Sequence, residues 1–256
     1  MRARRCQRRS AHERRGSSPR LQDRVVVLIG GGSGIGFEVA RRVIALGGSV
    51  VLGGRTPSRL EAASARLGEG ARWQTVDTSD SASVEAFFAS IPVVDGIFTT
   101  AAEYVVGPMR DLDPTDAASP FESKFWGQYR VVRAALDRLS SDASIVLMSG
   151  AASVRPPAAA PAYVAANAAI EGLARGLAVE LAPIRVNAVS PGTIDGNLWA
   201  NRDEAVRAAS FAQFSADTVL GRPGREGEVA DAVIHLLTNG YTTGSTLYVD
   251  GGYSLR

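Results

Sequence analysis

Cysteine is nearly missing from this chain. Cys6 is alone among 256 residues, so no disulfide can close within it, and a reducing cytoplasm is the expected setting. Histidine occurs twice, at His12 and His235, far apart and with no cysteine cluster nearby, so metal-ligand spacing is absent and no metal is expected. No apolar run approaches a membrane span, because charged or turn residues interrupt each one. Lysine occurs once, at Lys124; the other 27 of the 28 basic side chains are arginine. Compositional bias towards arginine accounts for that in part. Yet a compact, titratable ammonium is what lysine offers and arginine does not, which marks Lys124 for attention.

The net charge of +2 conceals two regions. Residues 1–20 hold eight arginines against Glu13 alone, and the remainder carries 20 basic and 25 acidic side chains, a balance of −5. A basic globular surface for nucleic acid is therefore not expected. The arginine-rich segment lacks the aliphatic run of a secretory signal and is expected to be a disordered extension, with residues 21–256 forming one domain. A hydrophobic content of 45 % with 21 % charge is ordinary for a globular protein of this length.

What is present is organised around residues 25–36. Val25-Val-Val-Leu-Ile29 reads as a strand buried on both faces, and five glycines follow within seven positions, from Gly30 to Gly36. Glycine can take backbone angles closed to other residues and lets a pyrophosphate approach the main chain. The segment 37–46 then has helical spacing, so its first amides would face the phosphates. Strands are expected at 49–53, 73–76, 93–98, 144–148, 184–189 and 246–249, alternating with helices at 57–67, 82–90, within 117–139, 161–181 and 226–237. That alternation, without two-residue hairpins, predicts an α/β fold: a Rossmann-type doubly wound parallel sheet with helices on both faces and a dinucleotide site at its switch point. Residues 192–221, the longest stretch without a strand, carry Trp199, Phe211 and Phe214 and read as a substrate lid or as a surface helix pair that only packs.

From about Asp23 to Tyr253 the chain resembles the short-chain dehydrogenase/reductase family. Gly30, Gly34, Ile35 and Gly36, with Ser33 inside the turn, match the family's cofactor turn, although Ile29 stands where threonine is usual. Asp77, followed by Thr78, stands where the family contacts adenine; Thr99-Thr-Ala101-Ala102 keeps small residues where the family has Asn-Asn-Ala-Gly. Arg185-Val-Asn-Ala-Val-Ser-Pro-Gly192 matches the strand and turn beside the nicotinamide, and Pro191, Gly192, Thr193 and Ile194 would contact its amide. Gly221-Arg-Pro-Gly224, Glu228-Val-Ala230 and Val249-Asp-Gly-Gly252 match the last third. At the end of the second strand, Gly53-Gly54 is followed by Arg55 rather than a carboxylate. A guanidinium there suits a 2′-phosphate, so NADP(H) is the expected cofactor, with NAD(H) possible if Arg55 is only a solvated turn residue.

At the catalytic end the chain departs from the family. The pattern Tyr-x-x-x-Lys is here Tyr163-Val-Ala-Ala-Asn167, which keeps a shared helix face but supplies no cation. The family's helical asparagine is here Lys124, in Lys124-Phe-Trp-Gly127. In the family that asparagine's main chain connects through water to the lysine, so the two residues are expected to have exchanged places, with Lys124 reaching towards Tyr163; the alternative is Lys124 in solvent or paired with Glu122 or Asp116. The family's serine falls at Gly150, and Ser149 is the choice, with Ser153 the next hydroxyl. The resemblance implies hydride transfer between the nicotinamide and a small carbonyl or secondary alcohol, with Tyr163 moving the proton, Ser149 holding the substrate oxygen, Asn167 the ribose and Lys124 tuning the site. A non-catalytic NADP(H)-binding sensor or scaffold is the competing reading. Small residues along 165–178 would allow a homodimer or homotetramer, or close packing on the sheet.

Overall fold

Val25–Ile29 forms the first strand, β1, and its pleat sends alternate side chains to opposite faces. Val27 and Ile29 enter one core with Phe87, Ile97 and Ile170, while Val26 and Leu28 enter the other with Val39, Leu60 and Val233. Both faces are covered by helices, which is why the strand reads as an unbroken apolar run. The computed structural model describes residues 21–100, 102–200 and 203–256. The expected N-terminal extension, with Cys6 and His12, and the cofactor candidate Ala101 lie outside the described residues.

The chain continues as α1 (Gly34–Ala45), β2 (Ser49–Gly54), α2 (Pro57–Leu67), β3 (Ala71–Thr75), α3 (Ser81–Ala89) and β4 (Val94–Thr99). After α4 (Pro114–Pro120), a π-helical segment (Phe121–Trp126) and α5 (Gly127–Ala135) come β5 (Leu139–Met148), α6 (Pro161–Glu180) and β6 (Arg185–Pro191). The last part holds β7 (Ile194–Asp195), α7 (Asn197–Ala200), α8 (Glu204–Asp217), β8 (Gly224–Arg225), α9 (Glu226–Thr238) and β9 (Thr246–Val249). The expected doubly wound sheet is present: seven strands in the order β3-β2-β1-β4-β5-β6-β9, each neighbouring pair parallel. The short β7 and β8 make a separate parallel pair. Strand order reverses between β1 and β4, and the crevice beyond their carboxyl ends is where such sheets bind ligands. At this end Thr100 N bonds Ile29 O at 2.8 Å, tying the chain after β4 to β1, and Gly30 N bonds Gly53 O at 2.8 Å, tying the chain after β1 to β2.

One expected helix differs. The segment read as a single long helix within 117–139 starts at Pro114, passes through a π-helical turn over 121–126 and ends at 135, and β5 starts at 139 rather than 144. Pro120 offers no N–H, and the Asp116 carbonyl, its normal partner, accepts from Ser119 Oγ at 2.6 Å instead. The widened turn after it carries Lys124, whose side chain is buried. Among the described residues no helix is long and apolar enough to cross a membrane, and no group of three His, Cys, Asp or Glu could hold a metal ion.

Candidate active site

The glycine turn is built by exclusion. Gly34 has φ +60°, which a side chain disfavours, and a Cβ on Gly36 would lie 2.4 Å from the Gly30 carbonyl oxygen. The helix α1 therefore begins hard against the end of β1. Its N-cap, Ser33, is extended and its hydroxyl makes no bond to the first turn, so the leading amides of 34–36 are left for an outside acceptor. That cradle fits a pyrophosphate. One charge opposes it: Glu226 Oε1, which accepts from Asn197 N at 3.0 Å, sits 3.1 Å from where a Gly34 Cβ would be.

Arg55 follows β2 and pairs with Glu103 at 2.7 Å, both side chains largely exposed. Asp77 accepts from Ser79 Oγ at 2.7 Å and Ser79 N at 2.9 Å; these bonds, with the Arg55 charge nearby, hold its carboxyl below the usual range. Thr78 meets α5, where a Cβ at Gly127 would lie 3.2 Å from its Oγ1, and Arg130 donates to its carbonyl at 3.3 Å.

At the other end of the crevice, Lys124 and α6 meet. The Lys124 ammonium donates to Asn167 Oδ1 at 2.5 Å and to the Ser149 carbonyl at 2.8 Å, and stands 5.2 Å from the centre of the Tyr163 ring. Asn167 in turn donates to the Tyr163 carbonyl at 2.8 Å. Lys124 thus points inward, and Glu122, offered above as a surface partner, pairs with Arg130 at 3.5 Å. Burial pushes the ammonium's pKa down, with Tyr163 and Glu171 pulling it back up. For Tyr163 burial pushes upward, but the Lys124 charge first, and then the neighbouring Tyr104 and Asn167 side chains, outweigh it and hold the phenol below its ordinary value. A cation about 5 Å away at an effective dielectric of 20 is worth roughly 3 kcal/mol, about a hundredfold in acid dissociation.

Ser149 does not face this phenol. Its hydroxyl donates to Glu171 Oε1 at 3.0 Å and lies 3.0 Å from the Asn167 carbonyl, beneath α6. The next residue carries the direction towards Tyr163: a Cβ built on Gly150 would lie 3.3 Å from the Tyr163 hydroxyl and 3.1 Å from Asn167 Oδ1. Extended backbone turns successive side chains to opposite sides, so the one-residue offset leaves no serine hydroxyl at the phenol. Ser153, the other hydroxyl considered, also donates to Glu171 Oε1, at 2.5 Å. With Ser190 at 3.3 Å and Tyr248 at 3.0 Å, Glu171 gathers hydroxyls from four segments behind the site.

The segment 192–221 follows β6. Ile194 and Thr193 anchor it at the β7–β8 pair, where Gly224 N bonds the Thr193 carbonyl at 2.9 Å, and a Cβ on Gly192 would strike the Asp250 backbone at 2.9 Å. Pro191 ends β6 beside Val249. Trp199 packs on Phe211 and Phe214 with ring centres 5.3 and 5.9 Å apart. Arg155 donates to the carbonyls of Asp217 and Tyr253, tying the far end of α8 to the C-terminal segment.

Three contributors were not singled out from sequence. Glu171 lies four and eight residues beyond Asn167 and Tyr163, so helical spacing could have placed it on their face. Glu226 could have been suspected from its place at the start of α9. Tyr104 could not: it sits in the irregular chain after β4, yet its ring stacks on Tyr163 with centres 4.8 Å apart and an interplanar angle of 28°.

Known proteins share the family and the fold. A family model described as enoyl-(acyl carrier protein) reductase matches residues 30–254. Galactitol 2-dehydrogenase (L-tagatose-forming) of Cereibacter sphaeroides is 30 % identical over 249 residues, covering 92 % of this chain and 97 % of that protein. A solved short chain dehydrogenase/reductase family protein superposes with a TM-score of 0.82 at 32 % identity, covering 93 % of this chain and all of the other. An NADPH-bound short chain oxidoreductase from Pseudomonas aeruginosa PAO1, described as containing an atypical catalytic center, gives a TM-score of 0.83 at 29 % identity over 90 % of this chain and 98 % of its own. The fold is thus shared along almost the whole length, and the chain belongs to the short-chain dehydrogenase/reductase family of oxidoreductases.

Proposed function

We propose that this protein is an NADP(H)-dependent oxidoreductase interconverting a small carbonyl compound and a secondary alcohol, with Lys124 supplying the charge that the family takes from the residue four after its tyrosine. The observation that carries the reading is the buried Lys124 ammonium, bonded to Asn167 and beside Tyr163. A bound nicotinamide nucleotide supplies or accepts the hydride. Residues 30–36 hold the pyrophosphate on the amides of α1, with Asp77 and Thr78 beside the adenine and Arg55 available to a 2′-phosphate. Pro191, Gly192, Thr193 and Ile194 hold the nicotinamide end, and Asn167 a ribose hydroxyl. Tyr163 passes its proton to the substrate oxygen or takes it back, and Lys124 stabilises the phenolate left behind.

The NADPH-bound relative supports the choice of cofactor, and the dehydrogenase relative supports the reaction class. Segment 192–221, with its aromatic cluster, covers the substrate. Exposed Trp126, Tyr129 and Val179 on the outer faces of the π-segment, α5 and α6 favour a homodimer or homotetramer through those helices. The test is a screen of aldehydes, ketones and quinones with NADPH and NADH, alongside nucleotide binding by fluorescence. Turnover with NADPH supports the proposal. Tight NADPH binding with no turnover across the panel would identify a nucleotide sensor instead.

A further inference from the structure

The candidate site has a phenol and a cation but lacks the hydroxyl that would hold the substrate oxygen next to them. Ser149 is committed to Glu171, and Gly150, the residue aimed at the Tyr163 hydroxyl, has no side chain. A developing oxyanion facing a single donor forfeits much of the stabilisation that a second, fixed donor gives. The structure puts one other hydroxyl-bearing side chain on that phenol. Tyr104, from the chain after β4, lies nearly parallel over Tyr163 at 4.8 Å between ring centres, and Lys124 Nζ is 6.0 Å from the Tyr104 ring.

We infer that Tyr104 is a further catalytic residue of the reaction proposed above, its phenol taking over the hydrogen bond to the substrate oxygen that Gly150 cannot make. The stacked Tyr104 and Tyr163 rings set the two phenols side by side. When a carbonyl oxygen lies between them, Tyr104 donates one bond to it and Tyr163 the other. As the carbonyl carbon takes up the hydride that the bound nicotinamide nucleotide would supply, the C–O π pair passes to the substrate oxygen, which takes the proton as the Tyr163 O–H bond breaks, and the Tyr163 phenolate is held by Lys124. Tyr104 keeps its own proton throughout. Burial above all, and then the neighbouring Tyr163, push the Tyr104 pKa well above the tyrosine range, as a residue that only donates requires. The groups facing Tyr163 are Lys124 from the π-segment, Tyr104 from the loop after β4, and Asn167 on its own helix, with Glu171 behind Asn167. Tyr104 is the one of these whose removal changes neither the local charge nor the α6 hydrogen bonds.

The experiment compares wild type, Tyr104→Phe and the double variant Tyr104→Phe/Gly150→Ser. It reads three quantities: NADPH affinity, kcat on the carbonyl found by screening, and the cofactor-free titration of Tyr163 by tyrosinate absorbance against a Tyr163→Phe blank. The expected result for Tyr104→Phe is an unchanged NADPH Kd, a Tyr163 titration moved to higher pH, and a kcat lower by about a hundredfold, the usual loss for one oxyanion donor. Gly150→Ser, by restoring a hydroxyl next to the Tyr163 phenol, recovers about tenfold or more of that kcat and brings the titration back down. An equal or higher kcat in Tyr104→Phe overturns the inference, since the ring then only covers the site. So does a Tyr163 titration that ignores Tyr104. A wild type inactive on every carbonyl defeats the proposed function instead, and the titration then decides by itself whether Tyr104 acts on Tyr163.

Discussion

The Lys124 ammonium and the Asn167 amide oxygen are 2.5 Å apart, one on the π-helical turn before α5 and the other in the middle of α6. That bond joins the two residues read from the sequence as having exchanged places, and it sets the cation beside Tyr163. An uncompensated buried ammonium is costly, so its two acceptors, Asn167 and the Ser149 carbonyl, are required as much as the charge itself.

Reversing the arrangement tests it. Lys124→Asn and Asn167→Lys are each expected to lower kcat by about a hundredfold or more, the first by removing the cation and the second by placing two cations together. The double variant, which restores the family's order, is expected to recover most of the loss. Steady-state kinetics on the three proteins measure the coupling, and simple additivity of the two losses would count against a shared role.

Arg55 is expected to select the phosphorylated cofactor. Arg55→Ala should raise the NADPH Kd about tenfold, the worth of one charge-assisted hydrogen bond, while the NADH Kd stays within about twofold. Fluorescence titration with both nucleotides reads the difference. Equal weakening of the two would assign Arg55 to folding rather than to the 2′-phosphate.

Glu226 acts in the opposite sense. Its carboxylate lies at the turn proposed to hold the pyrophosphate, so Glu226→Gln should tighten NADPH and NADH alike, by about threefold, and the gain should shrink in high salt. Calorimetry at two ionic strengths measures it.

Glu228 should govern acid stability at the start of α9. The Arg222 hydrogen bond first, and then the Arg225 amide, hold its carboxyl down at about 2, against an ordinary 4.5. A carboxyl depressed in the folded state stabilises above its unfolded pKa, and that contribution disappears as pH falls from about 4.5 towards about 2. Both side chains are more than a third exposed, so the effect is under about 1 kcal/mol, or about 1–3 °C in Tm for a domain of this size. Glu228→Gln should melt lower than wild type at neutral pH, and the gap should close through that acid window in thermal melts.

The fold was legible because alternation of buried strands with helices admits few topologies, and the continuous apolar run at 25–29 already required two covered faces. The meeting of Lys124 with Asn167 was legible through a single lysine standing in for a known asparagine. What was not legible turned on single residues. Pro120 and the widened turn after it break the helical period that sequence spacing assumes. Whether 149 or 150 faces Tyr163 depends on the pleat at the very end of β5, where composition is silent. Tyr104 reaches the site through an irregular segment, and no periodicity predicts where such a side chain lands.

The most direct measurement is the pH titration of the Tyr163 hydroxyl in wild type and in Lys124→Met, followed by tyrosinate absorbance with Tyr163→Phe as the blank. The account predicts a wild-type phenol that ionises below the ordinary ~10 and a Lys124→Met phenol that ionises above it, since burial is then unopposed by charge. A Tyr163 that titrates at the same pH with and without the lysine would contradict it.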